Sequence, residues 1–235
     1  MCVSAIGNVC LQLEMIKAGE LDEMYIPTHF EQGDLAQVHQ LIERHPLGIL
    51  VNQDGGSIAA NHLPFQFNAD ENQQGILRAH VAKANPVWQA LTRNSEVLVI
   101  FQGPEAYISP SWYPSKQNNP KVVPTWNYTA VHIQATATVM QDPESLRSHL
   151  EHLVQQHETT LPQPWAIADA PEDFISNLLN HIVGVKLVVT NIEAKWKASQ
   201  NQPEINTKGV VDGLAAIVTG RQMAQVVEQT CKKSR

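Results

Sequence analysis

Between Leu47 and Met140 the chain alternates short extended runs with tight-turn signals, and few of those runs are separated by a helix. Leu47–Asn52 is rich in β-branched and aliphatic residues and ends at Asp54-Gly55-Gly56, a hairpin signal. Extended character resumes from Ser57 to Phe67, breaks at the polar stretch Asp70–Gly75, and resumes again over Ile76–Ala82. Val97–Gln102 and Glu105–Ser109 are two further strand candidates, and Thr125–Met140 is one long one. Val183–Ile192 is the last clear strand. Strands joined this way favour an antiparallel barrel with helices on its outside over a parallel doubly wound sheet. The predicted fold class is therefore mostly β with flanking helices.

The helices are also legible. Asp34 followed by Gln37 suggests a capping box, and Leu35, Val38, Leu41 and Ile42 recur at helical spacing before Pro46. Asn85-Pro86 opens a short helix holding Trp88 and Leu91. Pro143–His157 and Asp173–His181 read as helices, the stretch Pro162–Pro171 as irregular, and the chain from Pro203 onward as helix or coil. Pro110–Pro124 reads as a proline-rich loop.

Composition narrows the function classes. The chain has 235 residues, long enough for a core without disulfide staples. Its formal charge of −7 opposes non-specific attraction to nucleic acid, and no helix-turn-helix spacing or basic recognition helix appears, so direct DNA binding is not expected. No apolar run reaches membrane-spanning length. Residues 1–23 make a poor signal peptide, because Glu14, Lys17 and Glu20 interrupt the apolar run. That segment reads as an extension, helical around Val9–Ala18. Cys2, Cys10 and Cys231 match no zinc pattern and fit thiols in a reducing cytoplasm. His149 and His152 have the spacing of a metal pair, but no complementary Cys or carboxylate pattern accompanies them. No Gly-rich phosphate loop and no Gly-x-Ser-x-Gly element is present.

Chemistry-bearing residues gather at strand ends and in the adjoining loops, where a rigid scaffold displays a site. The clusters are Asn61-His62-Leu63-Pro64-Phe65, His80 to Pro86, Tyr107 to Tyr113, Pro124 to Tyr128, and Lys195 to Asn201. Together with Met24 to Phe30, Gly103 to Pro110 and His132, these blocks run in collinear order from Met24 to about Leu214 and resemble the PaiB-type FMN-binding family, whose members are commonly labelled negative transcriptional regulators. The resemblance implies a split β-barrel akin to flavin reductases and pyridoxamine-phosphate oxidases. It also implies a homodimer with FMN at each end of the interface. It divides the chain into an extension at 1–23, a barrel domain at 24–200 and a helical segment at 201–235, and it raises Met24 as an alternative start.

FMN offers a phosphate dianion, a polar ribityl chain and a flat ring with an acceptor-rich edge. His80, Lys83 and Asn85 supply a cation and donors suited to the phosphate, although Lys83 stands where the family often has Arg. Asn61, His62 and Leu63 lie where a barrel strand would run beside the ring. Trp112 and Trp126 are candidates to stack on it or wall it from water, with Thr125, Asn127 and Ser109 as short polar partners nearby. Lys116, in the proline-rich loop, is placed to fold over a phosphate. Lys195, Lys197 and Gln200 would meet the pyrimidine edge and the ribityl oxygens, where a cation stabilises reduced flavin. No side chain stands out as a general acid or base. Three functions stay open at this point: an oxidoreductase fed by a nicotinamide nucleotide, a redox-sensing regulator, and haem handling with His62 or His80 as axial ligand.

Overall fold

The computed structural model describes residues 24–233. The helix expected over Val9–Ala18, with Cys2 and Cys10, lies outside the described residues. Among them, seven strands form one antiparallel sheet: β1 (Leu47–Asp54), β2 (Ser57–Pro64), β3 (Gln66–Asn68), β4 (Ile76–Ala82), β5 (Glu96–Ile108), β6 (Thr125–Met140) and β7 (Ile182–Lys197). Their order is β2-β1-β5-β6-β7-β4-β3. The two edges, β2 and β3, are separated in sequence by Phe65 alone, so the sheet must roll up. The first half of this segment pairs with β1, to Leu47↔Pro64, and the second half with β4, from Gln66↔Arg78. Pro64 has no N–H to extend the first ladder. Phe65 turns inward at 1% exposure, its ring centroid 5.7 Å from that of Phe101. The result is the expected antiparallel barrel with helices around it.

Local chemistry explains the connections. Asp54 and Ser57 close a two-residue hairpin in which Gly55 (φ +56°) and Gly56 (φ +88°) are both left-handed, the geometry of a type I′ turn. The two candidate strands after residue 97 are one strand, β5, whose register to β6 shifts between Gln102 and Glu105. Pro104, which cannot donate to a ladder, falls within that bulge. β7 runs on past Ile192 to Lys197.

Helix α1 (Leu35–Arg44) is capped by Asp34, whose carboxylate accepts from Ala36 N at 3.1 Å. The reciprocal half of the capping box does not form, because Gln37 donates to the Asp34 side chain and Gln32 takes the Asp34 N–H. Val38, Leu41 and Ile42 face the core, while Leu35 is exposed. Helix α2 (Val87–Arg93) also joins the barrel core through Val87 and Leu91. Helices α3 (Pro143–Glu158) and α4 (Glu172–Leu179) share a small apolar cluster of Leu146, Ile175 and Leu179. Helices α5 (Glu204–Ala215) and α6 (Arg221–Lys233) pack through Val210, Leu214, Met223 and Val227 on Ala106 and Ile108 of β5.

The barrel interior holds Leu50, Leu77, Val99, Phe101, Val131, Ile133, Val185 and Leu187, all at 0% exposure. Strand alternation sends Ile49, Val51, Leu98 and Ile100 to the opposite face, where they stay half-buried. Ile58 (76% exposed), Ala60 and His62 on β2 extend this outer face. His62, Ile49, Ile100, His132 and Glu193 form one row across it. No helix among the described residues is long and apolar enough to cross a membrane.

Candidate functional site

The chemistry-bearing side chains fall into two clusters. The first sits where β2 approaches the end of β4. Asn85 donates from Nδ2 to Asn61 Oδ1 at 2.9 Å and accepts the N–H of Val87, the first residue of α2, at 3.0 Å, so one side chain both holds the start of α2 and ties it to β2. The Lys83 backbone is held on both sides: its N–H donates to His181 O at 2.7 Å, and its carbonyl accepts from Trp88 Nε1 at 2.9 Å. The Lys83 side chain is exposed and has no side-chain partner among the described residues. It borders a hollow of about 320 Å³ together with Gln141, Ser176 and Asn180. His62 is exposed on the outer face, whereas Leu63 points into the core at 7% exposure and offers a ligand only its backbone.

The second cluster is built by the start of β6 and the end of β7. Lys197 Nζ donates to Thr125 Oγ1 at 2.5 Å. Asn127, 1% exposed, donates from Nδ2 to Ser199 Oγ at 2.9 Å, and its Oδ1 is buried without a partner. A buried acceptor left unpaired is costly, and such atoms concentrate where a ligand or water completes them. Ser199 is itself left-handed (φ +62°) and buried, a strained backbone for a non-glycine residue. Trp126 is 54% exposed and meets the Tyr107 ring edge-on at 6.1 Å.

Several expected residues are engaged elsewhere. Leu77, Ala79 and Val81 fill the core, so alternation turns His80 outward, beneath α3 and away from Lys83. There His80 Nδ1 lies 3.1 Å from His149 Nε2, and His149 Nδ1 lies 2.7 Å from Gln66 Oε1. Burial, followed by the positive neighbours His80, Arg78 and His152, pushes His149 down to about 4. Trp112 packs on α5, where a Cβ at Gly213 would sit 2.4 Å from its indole, and one at Gly209 would sit 2.0 Å from its carbonyl oxygen. Ser109 caps the 3-10 turn that carries Trp112, accepting from Ser111 N at 3.2 Å. Gln200 folds back, accepting from Ala198 N at 2.7 Å and donating to Trp196 O. Lys116 is exposed in a second 3-10 turn, Pro114–Gln117.

Lys195 is only 8% exposed, and its Nζ donates to Tyr25 O at 2.8 Å, 5.5 Å from the ring centroids of both Tyr25 and Tyr128. The strap that covers it is pinned to β7 by Met24 N to Glu193 Oε1 at 3.1 Å and by Gln32 N to Ala194 O at 2.9 Å. Sequence reasoning placed Met24 to Phe30 and Ser199 in resembling blocks without giving them these roles, and it missed the spacing of Gly209 and Gly213. The last was the readable signal, since small residues four apart on a helix permit close packing.

The chain does not bring its two clusters together. His80, Gly184 and Met140 share one row, so Lys83 sits beyond the Met140 end of β6, while Tyr128 pairs with Lys197 at the other end. Those rows are separated by roughly 40 Å of strand at about 3.3 Å per residue. Asn61 aligns through Leu50 and Val99 with Ile133, leaving it roughly 20 Å along β6 from Asn127 and three strands across.

Comparison with known proteins adds the family. A family model described as "Putative FMN-binding domain" matches residues 24–191. The Bacillus subtilis (strain 168) "Protease synthase and sporulation protein PAI 2" is 34% identical over 212 residues, covering 89% of this chain and 99% of that protein. Among solved structures, conserved hypothetical protein Rv2991 from Mycobacterium tuberculosis superposes with a TM-score of 0.55 at 12% identity, covering 77% of this chain and 95% of that one. The flavocytochrome Anf3 from Azotobacter vinelandii gives 0.52 at 12% identity, covering 74% and 73%. At these identities the structural likeness concerns the fold alone. The sequence match decides the family: this chain belongs to the PaiB-type FMN-binding proteins.

Proposed function

We propose that the chain works as a homodimeric flavin-dependent redox protein, in which each FMN lies between the first cluster of one subunit and the second cluster of its partner. The observation that carries this reading is the separation of the clusters within one chain, combined with an apolar outer face on β1, β2 and β5. A two-fold axis through that face would make one patch meet itself and create two equivalent sites. Ile58 at 76% exposure is the kind of residue such contact would cover.

The donor set fits the cofactor. Lys83, a cation without a side-chain partner at a strand end, suits the phosphate. Asn61 and Asn85 fix one another and hold α2 against β2, setting the position of the Lys83 backbone. At the other end, the unpaired Asn127 Oδ1 accepts a hydrogen bond, so it suits the ring N–H or a ribityl hydroxyl rather than a phosphate oxygen. Lys197 supplies positive charge close by, and Trp126 an exposed aromatic surface. Bound FMN supplies reversible electron or hydride transfer; the protein orients it and excludes water. The electron donor that suits this site class is a reduced nicotinamide nucleotide.

A regulatory use of the same flavin is favoured by the name of the Bacillus relative, which ties it to protease synthesis and sporulation. The formal charge of −7 argues that such regulation works through a protein partner rather than through DNA. Haem handling has weaker support, because His80 is committed to His149. The thiol chemistry of Cys231 fits a cytoplasmic setting.

Absorbance titration of the purified protein with FMN tests the reading. A saturable shift of the flavin bands with one FMN per chain, and oxidation of NADH or NADPH that depends on added FMN, would support it. An unchanged flavin spectrum at micromolar protein would remove it.

A further inference from the structure

A larger hollow, of about 770 Å³, lies between α3 and the strands β3, β4 and β7, and the flavin reading leaves it unused. Its volume falls within the range of small-molecule sites. Phe67 and Met140 are its two apolar members; Arg78, Lys186, His149 and His152 give it nitrogen, and the rest of the lining, from Gln66 to Gln156, is polar. The charges are not equivalent. Arg78 is closed into a fork with Glu71, NH1 to Oε1 at 3.0 Å and NH2 to Oε2 at 2.5 Å, which holds the Glu71 carboxyl below the usual range. That pair cancels itself. Glu144 is exposed at the first turn of α3, where water screens it. His149 is occupied on both ring nitrogens and stays neutral. His152 donates its Nδ1–H to the Ser148 carbonyl at 2.7 Å.

Lys186 is different. It is half-buried on β7, lines the hollow, and makes no hydrogen bond or ion pair among the described residues. Its charge nevertheless reaches Glu71. A partly desolvated ammonium in a polar hollow that holds one apolar patch, Phe67 and Met140, is completed by an anion whose body packs on that patch.

We propose that this hollow binds a small organic carboxylate, with Lys186 taking the charge and Phe67 and Met140 the body of the ligand. The site is independent of the flavin reading and stands whether or not that reading holds. A phosphate dianion fits it less well, because one uncompensated cation, Lys186, balances one negative charge rather than two.

Calorimetric titration of the full chain with benzoate, and with the neutral isostere benzamide, tests the proposal. Benzoate is expected to bind saturably with one molecule per chain, benzamide at least about tenfold more weakly, and Lys186→Gln to weaken benzoate by about tenfold (~1.4 kcal/mol). Lys83→Ala is expected to leave benzoate binding unchanged. Absence of saturable benzoate heat, equal affinity for benzoate and benzamide, or unchanged affinity in Lys186→Gln would each overturn the proposal. The benzoate and benzamide comparison uses the unaltered protein, so it holds even if the variant fails to fold.

Discussion

Asn61 on β2 and Asn85 at the head of α2 are joined side chain to side chain at 2.9 Å across 24 positions of sequence. Asn85 also accepts the Val87 N–H, so it holds the first residue of α2 and clasps β2 at once. Asn85→Ala removes both bonds and leaves Asn61 Oδ1 without its donor. The expected cost is about 1–2 kcal/mol of stability, read as a lower urea midpoint, with a loss of flavin affinity alongside. Unchanged stability and affinity would show that the clasp does not position the site.

Lys83 should distinguish phosphate from ring. In Lys83→Ala, FMN binding is expected to weaken about tenfold or more, whereas riboflavin, which lacks the phosphate, should lose little. Parallel fluorescence-quenching titrations with the two flavins give the ratio. Equal losses would move Lys83 out of phosphate contact.

Acid should destabilise the joint between β4 and α3. The imidazole of His149 titrates near 6.5 when unfolded and at about 4 in the fold. The unfolded chain therefore takes up the proton first. The stabilisation is complete above about pH 6.5, falls as pH drops toward 4, and changes no further below that, where both states are protonated. The total is roughly 3 kcal/mol. Urea unfolding at pH 7 and pH 5 should show the fall in the unaltered protein and a clearly smaller one in His149→Gln. An identical fall in both would assign it to other groups.

Trp112 belongs to the packing of α5. A methyl group at Gly213 would lie 2.4 Å from the indole, too close without movement of the turn or the helix. Gly213→Ala is expected to cost about 1–3 kcal/mol, seen as a lower melting temperature. A melting temperature unchanged within error would mean that the loop carrying Trp112 gives way freely.

Much of the fold was legible because its signals are local. Asp54-Gly55-Gly56 demands a left-handed two-residue turn, and the structure supplies it. The Thr, Val and Ile that recur through Thr125–Met140, with no Gly or Pro among them, mark β6 to the residue. The misread strand break came from tertiary context. Gly103-Pro104 looks like a break between strands, yet the partner strand β6 runs straight past and turns the break into a bulge. Residue type and the resembling blocks pointed to His80, Trp112, Lys195 and Gln200 as flavin contacts, and local sequence does not show their other contacts. His149, Gly213, Tyr25 and the local backbone compete for them, and those competitors lie far off in sequence or give no signal of contact. Lys83, Asn85, Asn61, Thr125 and Asn127 kept positions compatible with a site, but at two ends of one barrel.

Mixing two binding-deficient variants tests that division most directly. Lys83→Ala damages the first cluster and Asn127→Ala the second, so on the proposed shared-site arrangement each variant's homodimer has two impaired sites. When equal amounts are dissociated and reassociated together, a mixed dimer has one site with both clusters intact and one with both altered. Flavin titration of the mixture should recover tight FMN binding at about a quarter of the sites found in the unaltered protein. Recovery of none, with the mixed dimer shown to have formed, would mean that each chain binds flavin by itself and would contradict the shared site.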